Sequence, residues 1–360
     1  MDKQELLHRI EDNFRKQVRE DKNIRNAYLL VSSEKLDISL NIAEGKTGQM
    51  VAHPQQPNHL ASVGKIFTAS IIGLLHDNGK LSFDDKIAKY LEPDLMQNLH
   101  VYRGKDYSEE ITISQLLKQT SGLADIFFPL YKKMVNDPSL RISTKEAIAW
   151  GKQNLTPKFK PGTKHLYTDT NYFLLGLIIE NITGQPFQEA LHKMIFEPLQ
   201  MKQAFANDFS QPAEAAKYPT AAAMLEGVDF TKIAGIAPLD FAGSSVIAPL
   251  EDFLIFMKAL VSNKIVSATT LERMITDSRA MGFPALGIYY GYSIWKFVTV
   301  PILMPAKFNC WGCVGITGAF MFYHPQTESY IIGTFNDSSY KTKALRFMLA
   351  KVINNLLKMT

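Results

Sequence analysis

Two residues with reactive side chains, Ser62 and Lys65, stand three positions apart at the start of an apolar stretch. The stretch continues to Leu75 with apolar residues on nearly all sides, which predicts a buried helix. Because positions i and i+3 share one face of a helix, the two side chains would lie side by side. The positive end of the helix dipole favours an alkoxide and disfavours an ammonium, so the pair is typical of an activated serine nucleophile. The alternative is a helix-capping serine beside a lysine whose ammonium reaches solvent.

The S-x-x-K spacing occurs several times in the sequence, so spacing alone does not identify a nucleophile. Ser32 and Lys35 straddle the end of a predicted strand, where residues three apart point to opposite faces. Ser338 belongs to a polar turn before the last predicted helix. Ser62 is the serine that combines helical spacing, an N-terminal position and a buried apolar continuation.

A second group of polar residues precedes another apolar helix. Tyr167 and Asp169 follow a Pro-Gly turn and come directly before an apolar run that continues to Ile182. Side chains in a loop before a buried helix can point into one cleft, and a phenol close to a lysine can relay protons. The alternative is a turn tyrosine that packs on the helix.

Glycines recur at every third position from Gly312 through Gly315 to Gly318, where the chain enters a predicted strand. Glycine lets a strand approach a neighbouring group closely. A backbone N–H at this place can pair with the N–H of Ser62 as an oxyanion hole. The spacing is not that of a dinucleotide-binding loop and no helix follows, so no nucleotide cofactor is predicted.

The two cysteines of the chain, Cys310 and Cys313, form a C-x-x-C pattern. The pattern leads into a predicted strand, whereas an activated thiol of this type lies at a helix N-terminus. No second pair supports a zinc site, and no histidine has ligand spacing with the pair. We interpret both cysteines as structural. The alternative is a redox switch in which oxidation of the pair deforms the wall of the cleft.

The composition limits the classes of function. The chain has 360 residues, of which 46% are hydrophobic and 21% charged, and a net charge of +4. These values are typical of a globular protein with a substantial core. Basic residues are mixed with acidic ones, so no nucleic-acid partner is predicted. The N-terminal residues lack the apolar core of a signal peptide, and no apolar run is long enough to span a membrane. We therefore predict a cytoplasmic protein without a membrane span.

Strand and helix patterns indicate how these residues are held. The predicted elements near the two ends of the chain are a helix over 3–20, a hairpin over 27–42, a strand over 290–298, paired strands over 318–323 and 330–335, and a helix over 345–356. Helical patterns dominate between them. We therefore predict a sheet assembled from both termini, with an α/β region of residues 1–88 and 285–360. A mainly helical inserted region of residues 89–284 would complete the site.

The motifs and their order resemble those of serine β-lactamases and penicillin-binding proteins. The S-x-x-K at Ser62, the Y-x-D at Tyr167 and the glycine-rich strand follow one another as in that family. Residues 81–86, 111–123 and 243–252 also agree, the second of them being similar to the LLxHTSGL signature. The branch that the chain resembles most contains class C β-lactamases and related carboxylesterases and D-amino-acid peptidases. The resemblance implies an α+β fold of the β-lactamase/transpeptidase type, in which helices flank an antiparallel sheet.

The resemblance also implies roles for individual residues. Ser62 would be the acylated nucleophile and Lys65 a general base or proton relay. Tyr167 would activate Ser62 and protonate the leaving group. The backbone N–H groups of Ser62 and Ile316 would form the oxyanion hole. No metal or cofactor is implied.

Two positions depart from the family pattern: Asp169 stands where asparagine is usual, and Cys313 where K-T-G or H-x-G supplies a basic residue. Both, with Gly315, would line the substrate site. Asp169 brings a negative charge close to Lys65, and this charge stabilises the ammonium form of the lysine. Tyr167 then becomes the better candidate for the base. The basic side chain missing at Cys313 normally fixes a substrate carboxylate, so its absence favours an uncharged acyl group.

Together these observations predict a serine hydrolase that acts on a small-molecule acyl substrate, as a carboxylesterase or an amide hydrolase. A D-amino-acid peptidase or a weak β-lactamase is the alternative within this class. A non-catalytic relative that serves as a binding or regulatory module is the alternative outside it. The sequence makes no prediction of oligomeric state.

Overall fold

The structure is a computed structural model that describes residues 2–282, 285–300 and 305–360. The α-helices of these residues are α1 (Lys3–Glu20), α2 (Gly64–Asp77), α3 (Pro93–Met96), α4 (Ile113–Leu117), α5 (Phe127–Asn136), α6 (Thr144–Asn154), α7 (Thr170–Thr183), α8 (Phe187–Leu191), α9 (Ala237–Ser244), α10 (Leu250–Val261), α11 (Ala268–Thr276), α12 (Lys341–Phe347) and α13 (Asn354–Leu356). Two π-helical segments, His192–Phe196 and Met348–Ile353, continue α8 and α12.

The strands belong to one large sheet and several small ones. They are β1 (Asn26–Ser33), β2 (Ile38–Thr47), β3 (Met50–Val51), β4 (Asn58–His59), β5 (Val101–Tyr102), β6 (Lys105–Asp106), β7 (Phe205–Ala206), β8 (Met224–Leu225), β9 (Val228–Asp229), β10 (Val246–Ala248), β11 (Arg279–Ala280), β12 (Ile288–Tyr290), β13 (Trp295–Phe297), β14 (Cys310–Gly315), β15 (Ala319–His324) and β16 (Ser329–Thr334). The large sheet has the order β11-β12-β13-β14-β15-β16-β1-β2-β3. Its neighbouring strands are antiparallel throughout.

The large sheet joins the two ends of the chain, as the sequence predicts. β1 pairs with β2 on one side and with β16 on the other, which brings the first hairpin next to the last strand. The strand signals over 290–298 belong to two short strands. Here β12 and β13 pair with each other across a tight turn, in which the Gly291 N–H donates to the Ile294 carbonyl. The aromatic and β-branched residues of this run therefore belong to a hairpin.

Helices cover both faces of the sheet, and they bury their apolar faces against it. On α1, Leu6, Ile10, Phe14 and Val18 are buried, and their spacing of four places them on one face. This face and the closing helix α12–α13 pack against one side of the sheet. The larger core lies on the other side and contains α2, α7 and α10. The sheet thus separates two hydrophobic cores.

The helices α2, α7 and α9 pack against one another beside β14. Both α2 and α7 are buried on almost every side, as the apolar runs predict. In the described ranges, no helix is both long and apolar enough to cross a membrane. The division at residues 88 and 285 stays a prediction, and its boundary at residue 284 lies outside the described residues.

Candidate active site

Ser62 lies in a 3₁₀ turn, Ala61–Val63, that leads directly into α2. The preceding residue, Ala61, has a φ of 48°, in the left-handed region that a non-glycine residue rarely adopts. On the other side, Gly64 packs so closely on α9 that a Cβ atom there would lie 3.0 Å from the Cα of Ser244. The turn is therefore held tightly while the Ser62 side chain stays partly exposed.

Lys65 lies one turn further along α2, and its side chain is fully buried. Its Nζ donates to Ser62 Oγ at 3.1 Å, to the Gly243 carbonyl at 3.2 Å and to the carboxylate of Asp169. An ammonium has three N–H donors, and three acceptors surround this one. Lys65 therefore acts as a hydrogen-bond donor to Ser62, which leaves the hydroxyl proton of Ser62 free to point elsewhere.

Tyr167 lies beside this pair, with its ring centroid 5.2 Å from Lys65 Nζ. Burial raises the pKa of the Tyr167 phenol well above its ordinary value, and the negative charge of Asp169 acts in the same direction. The nearby hydroxyl of Ser62 acts in the opposite direction. Tyr167 is therefore a neutral phenol near neutral pH, able to donate a proton while it accepts one.

Asp169 precedes α7, and its carboxylate is the ion-pair partner of Lys65. The backbone approaches closely here, since a Cβ atom on Gly243 would lie 3.2 Å from Asp169 Oδ1. The Asp169 carboxylate accepts a hydrogen bond from Lys65. Asp169 also lines a cavity next to Ser62. Asp169, which stands where the family usually has asparagine, is therefore in direct contact with Lys65.

Asp125 supports this arrangement and was not identified from the sequence. Its Oδ1 accepts the backbone N–H of Asp169 at 2.8 Å and the hydroxyl of Thr168 at 3.2 Å. Burial, with a further contribution from Asp169, raises the pKa of the Asp125 carboxyl to about 6. The only sequence signal for Asp125 was its position just after the 111–123 segment.

The strand β14 ends next to the nucleophile turn. A Cβ atom on Gly315 would lie 2.3 Å from the Leu60 carbonyl oxygen, so this approach requires glycine. The next residue is Ile316, which lines both cavities at Ser62. The backbone N–H groups of Ser62 and Ile316 remain the predicted donors to a developing oxyanion.

Cys313 lies behind Ser62. It is not one of the residues that line the two cavities at Ser62. Its thiol is 1% exposed and donates to the Ser62 carbonyl at 3.2 Å. Burial raises the pKa of this thiol to about 12, so it is neutral. Cys313 thus fills the space under the turn instead of presenting a charge to a substrate.

The two cysteines are buried in different cores, Cys313 in the larger one and Cys310 in the one beneath α1. Residues three apart on a strand project from opposite faces, so their sulfur atoms cannot meet. Both are free thiols. The strand geometry therefore gives no support to a redox switch through this pair.

Two cavities open on Ser62, Tyr167 and Ile316. One has a volume of about 120 Å³ and a mainly apolar wall. Its apolar side chains are those of Ala61, Phe127, Phe128, Leu225 and Phe230. The other has a volume of about 490 Å³. Its lining beyond the shared residues consists of Met281, Ala285, Ile288, Trp295, Val314, Gly315, Lys341, Thr342 and Leu345. A substrate can thus extend in two directions from the serine.

Comparison with known proteins bears on the family and the fold of the chain. The Beta-lactamase family profile matches residues 20–354. The chain is 35% identical to Protein flp of Staphylococcus aureus (strain MW2) over 152 residues, which make up 42% of this chain and 28% of that protein. The chain therefore spans less than a third of the length of this curated relative.

Solved structures share the fold over almost the whole length. A D-stereospecific amidohydrolase from Streptomyces sp. has a TM-score of 0.78 at 20% identity, covering 95% of this chain and 98% of that one. EstCE1, described as a hydrolase with promiscuous acyltransferase activity, has a TM-score of 0.77 at 17% identity and covers 98% of each chain. The predicted β-lactamase/transpeptidase-like fold is confirmed. With the profile match across nearly the entire sequence, the protein belongs to the Beta-lactamase family, as the resemblance predicts.

Proposed function

We propose that this protein is a serine hydrolase that forms an acyl-enzyme on Ser62 and cleaves small, uncharged esters or amides. The observation that carries the proposal is the contact of 3.1 Å between Lys65 Nζ and Ser62 Oγ, next to the end of β14. A serine, a buried cation that orients it and a ready oxyanion site are the parts that acyl transfer requires.

Proton transfer would run through Tyr167. Lys65 donates to Ser62 Oγ, so the Ser62 proton points towards the phenol. As Oγ attacks the carbonyl carbon, this proton moves to the phenol oxygen, and the phenol proton moves to the leaving oxygen or nitrogen. The carbonyl oxygen takes up negative charge next to the N–H groups of Ser62 and Ile316. Water would then attack the acyl-enzyme by the same steps in reverse.

The preference for an uncharged substrate follows from the walls of the two cavities. Among the described lining residues, Lys341 is the one lysine or arginine. Cys313, at the position of the family's basic residue, is neutral and points away from the cleft. A carboxylate would find little compensation there for lost hydration, whereas an apolar acyl or alkoxy group would bury its surface.

Three other functions each have one observation in their favour. The fold shared with a D-stereospecific amidohydrolase supports a peptidase or amidase for D-amino-acid substrates, and the family itself supports a weak β-lactamase. The ion pair of Lys65 with Asp169 supports a non-catalytic binding or regulatory protein, because it gives the lysine a structural partner other than Ser62. A cytoplasmic location stays a prediction.

A fluorophosphonate probe tests the proposal, because it reacts with activated serines irrespective of the substrate. We expect an adduct that peptide mass analysis locates on Ser62 in the folded protein. Ser62→Ala should abolish labelling, while Ser338→Ala, at a second S-x-x-K serine, should not. Folded protein that carries no adduct on Ser62 would favour the non-catalytic alternative.

A substrate panel then separates the hydrolytic functions. We expect p-nitrophenyl acetate and butyrate to be cleaved faster than a D-alanine anilide or a chromogenic cephalosporin. Faster turnover of the D-amino-acid substrate would replace the esterase proposal by the amidase.

A further inference from the structure

A second polar cluster lines the smaller cavity at Ser62 and plays no part in the mechanism above. Its centre is His59, at the end of β4, whose side chain is 1% exposed. His59 Nε2 lies 3.1 Å from Oδ2 of Asp240, which is equally buried. Ser62, His59 and Asp240 all line the cavity of about 120 Å³, so their residue types suggest a serine–histidine–aspartate triad.

The hydrogen bonds of His59 contradict a triad. The backbone N–H of Ala61 donates to His59 Nδ1 at 3.1 Å, so Nδ1 is the unprotonated nitrogen. The ring proton is therefore on Nε2, and it is donated to Asp240. Both ring nitrogens are occupied, and neither is free to take the proton of Ser62.

Asp240 is also fully engaged. Besides His59, its Oδ2 accepts the side-chain amide of Asn207 at 2.8 Å, and its Oδ1 accepts the hydroxyl of Ser244 at 3.0 Å. Ser244 belongs to the end of α9 that packs on Gly64. Asp240 therefore links β4 to the helix end that contacts the nucleophile turn.

We propose that His59 and Asp240 form a positioning pair that fixes the direction of the Ser62 side chain and of its N–H. The pair acts through Ala61, whose left-handed φ of 48° needs support from its surroundings. The hydrogen bond from the Ala61 N–H to His59 supplies that support one residue before the nucleophile. This inference rests on the proposed hydrolase function of Ser62.

Two substitutions of His59 separate its two hydrogen bonds. His59→Asn keeps an acceptor near the position of Nδ1 and loses the donor to Asp240. His59→Gln places its amide near the position of Nε2 and loses the acceptor for Ala61. A positioning role predicts that His59→Asn retains the acylation rate within about threefold, while His59→Gln loses about tenfold to 100-fold in kcat with KM almost unchanged. The pH–rate profile should keep its shape in both variants.

His53→Asn is the matched control, since His53 lies in the same loop and its Nδ1 also accepts a local backbone N–H, that of Gln55. Its ring stacks on Tyr218 and lies outside both cavities at Ser62, so activity should stay at the parent level. Equal loss in His59→Asn and His59→Gln, or loss of the acidic limb of the pH–rate profile, would overturn the positioning role. The second of these results would make His59 a general base.

A measurement on the parent protein keeps the inference testable if the variants do not fold. Nitrogen-15 NMR of the His59 ring should show a protonated Nε2 and an unprotonated Nδ1 near neutral pH. A protonated Nδ1 would exclude the bond from Ala61 and overturn the proposal. Failure of fluorophosphonate to label Ser62 in the parent would instead overturn the hydrolase function itself, so the two failures are distinguishable.

Discussion

Ser62 lies between two buried clusters of similar composition, each with a carboxylate and a nitrogen base. In the cluster of Lys65 and Asp169, the nitrogen reaches the hydroxyl of Ser62 directly. In the cluster of His59 and Asp240, the ring nitrogens reach the backbone of Ala61 and the carboxylate, and none faces the hydroxyl. The atom that contacts the hydroxyl, and not the residue type, therefore distinguishes the two clusters.

The clusters also differ in charge. Lys65 and Asp169 form a buried ion pair, so removing one partner leaves a charge without compensation. The neutral tautomer of His59 makes only hydrogen bonds, and Asp240 keeps two other donors if His59 is replaced. Substitutions on the lysine side should therefore affect both activity and stability. Those on the histidine side should mainly affect the geometry of the turn.

The largest expected effect is that of Lys65→Met, which keeps the length of the side chain and removes its charge. Loss of the donor to Ser62 should lower kcat/KM for a short p-nitrophenyl ester by about 10³-fold to 10⁴-fold. Asp169 would become a buried unpaired carboxylate, at a cost of about 3–5 kcal/mol in the free energy of unfolding. Ester kinetics and thermal unfolding measure the two effects.

The double variant Lys65→Met with Asp169→Asn is the control that separates these two effects. It removes both charges, so it should recover most of the lost stability and none of the lost activity. Activity close to that of the parent in Lys65→Met would mean that the two clusters do not differ in the way proposed.

Tyr167→Phe is expected to have the next largest effect, a loss of about 10²-fold to 10³-fold in kcat, because it removes the proton relay and leaves the ring. The raised pKa of Tyr167 means that the phenol stays protonated beyond its ordinary titration range. The rate of the parent should therefore show no change from this group up to about pH 10. A pH–rate profile of parent and variant tests both statements, and a variant with parental kcat would exclude Tyr167 from the relay.

A smaller effect of opposite sign is expected for Asp169→Asn, which restores the residue usual in the family. Without the neighbouring carboxylate, the Lys65 ammonium keeps Ser62 Oγ and the Gly243 carbonyl as acceptors, so its contact with Ser62 should strengthen and kcat should rise by about threefold to tenfold. The free energy of unfolding should fall, because a buried cation loses its counter-charge. A rate as low as that of Lys65→Met would instead show that the two residues act only as an intact pair.

The sequence predicts much of the fold, for physical reasons that apply to particular elements. The alternation in 36–42 and the helical spacing of Leu7, Ile10, Phe14 and Val18 indicate β2 and α1, because each element buries one face. In the structure Leu6, and not Leu7, is the buried residue of the first turn. The run over 290–298 indicates strand structure because it is rich in aromatic and β-branched residues, but it does not indicate where one strand ends and the next begins. The turn between β12 and β13 has little propensity signal and depends on tertiary contacts, as in the bond of the Ser293 N–H to the Leu117 carbonyl.

For the candidate site, the sequence indicates the residues with motifs and misses those that support them. Ser62, Lys65 and Tyr167 were found because spacing and family order single them out. His59, Asp125 and Asp240 belong to none of these motifs. Their partners lie 44 and 181 positions away along the chain, so only the folded structure brings them together.

Asp125 allows a last prediction, the smallest in effect, that concerns the lysine side alone. The pKa of its carboxyl is raised to about 6, so its ionised form is disfavoured in the folded protein relative to the unfolded chain. This penalty is absent at a pH below the ordinary pKa of an aspartate, enters as the pH rises towards about 6, and is fully present above it. Asp125→Asn keeps an acceptor for the Asp169 N–H and does not ionise. Its melting temperature relative to the parent should therefore rise between about pH 4.5 and pH 7.5, with kcat within about threefold of the parent. Ser338→Ala, which removes no ionisable group, should show no such change. A melting-temperature difference for Asp125→Asn that is constant across this range would mean that the carboxyl is not perturbed by burial and by Asp169.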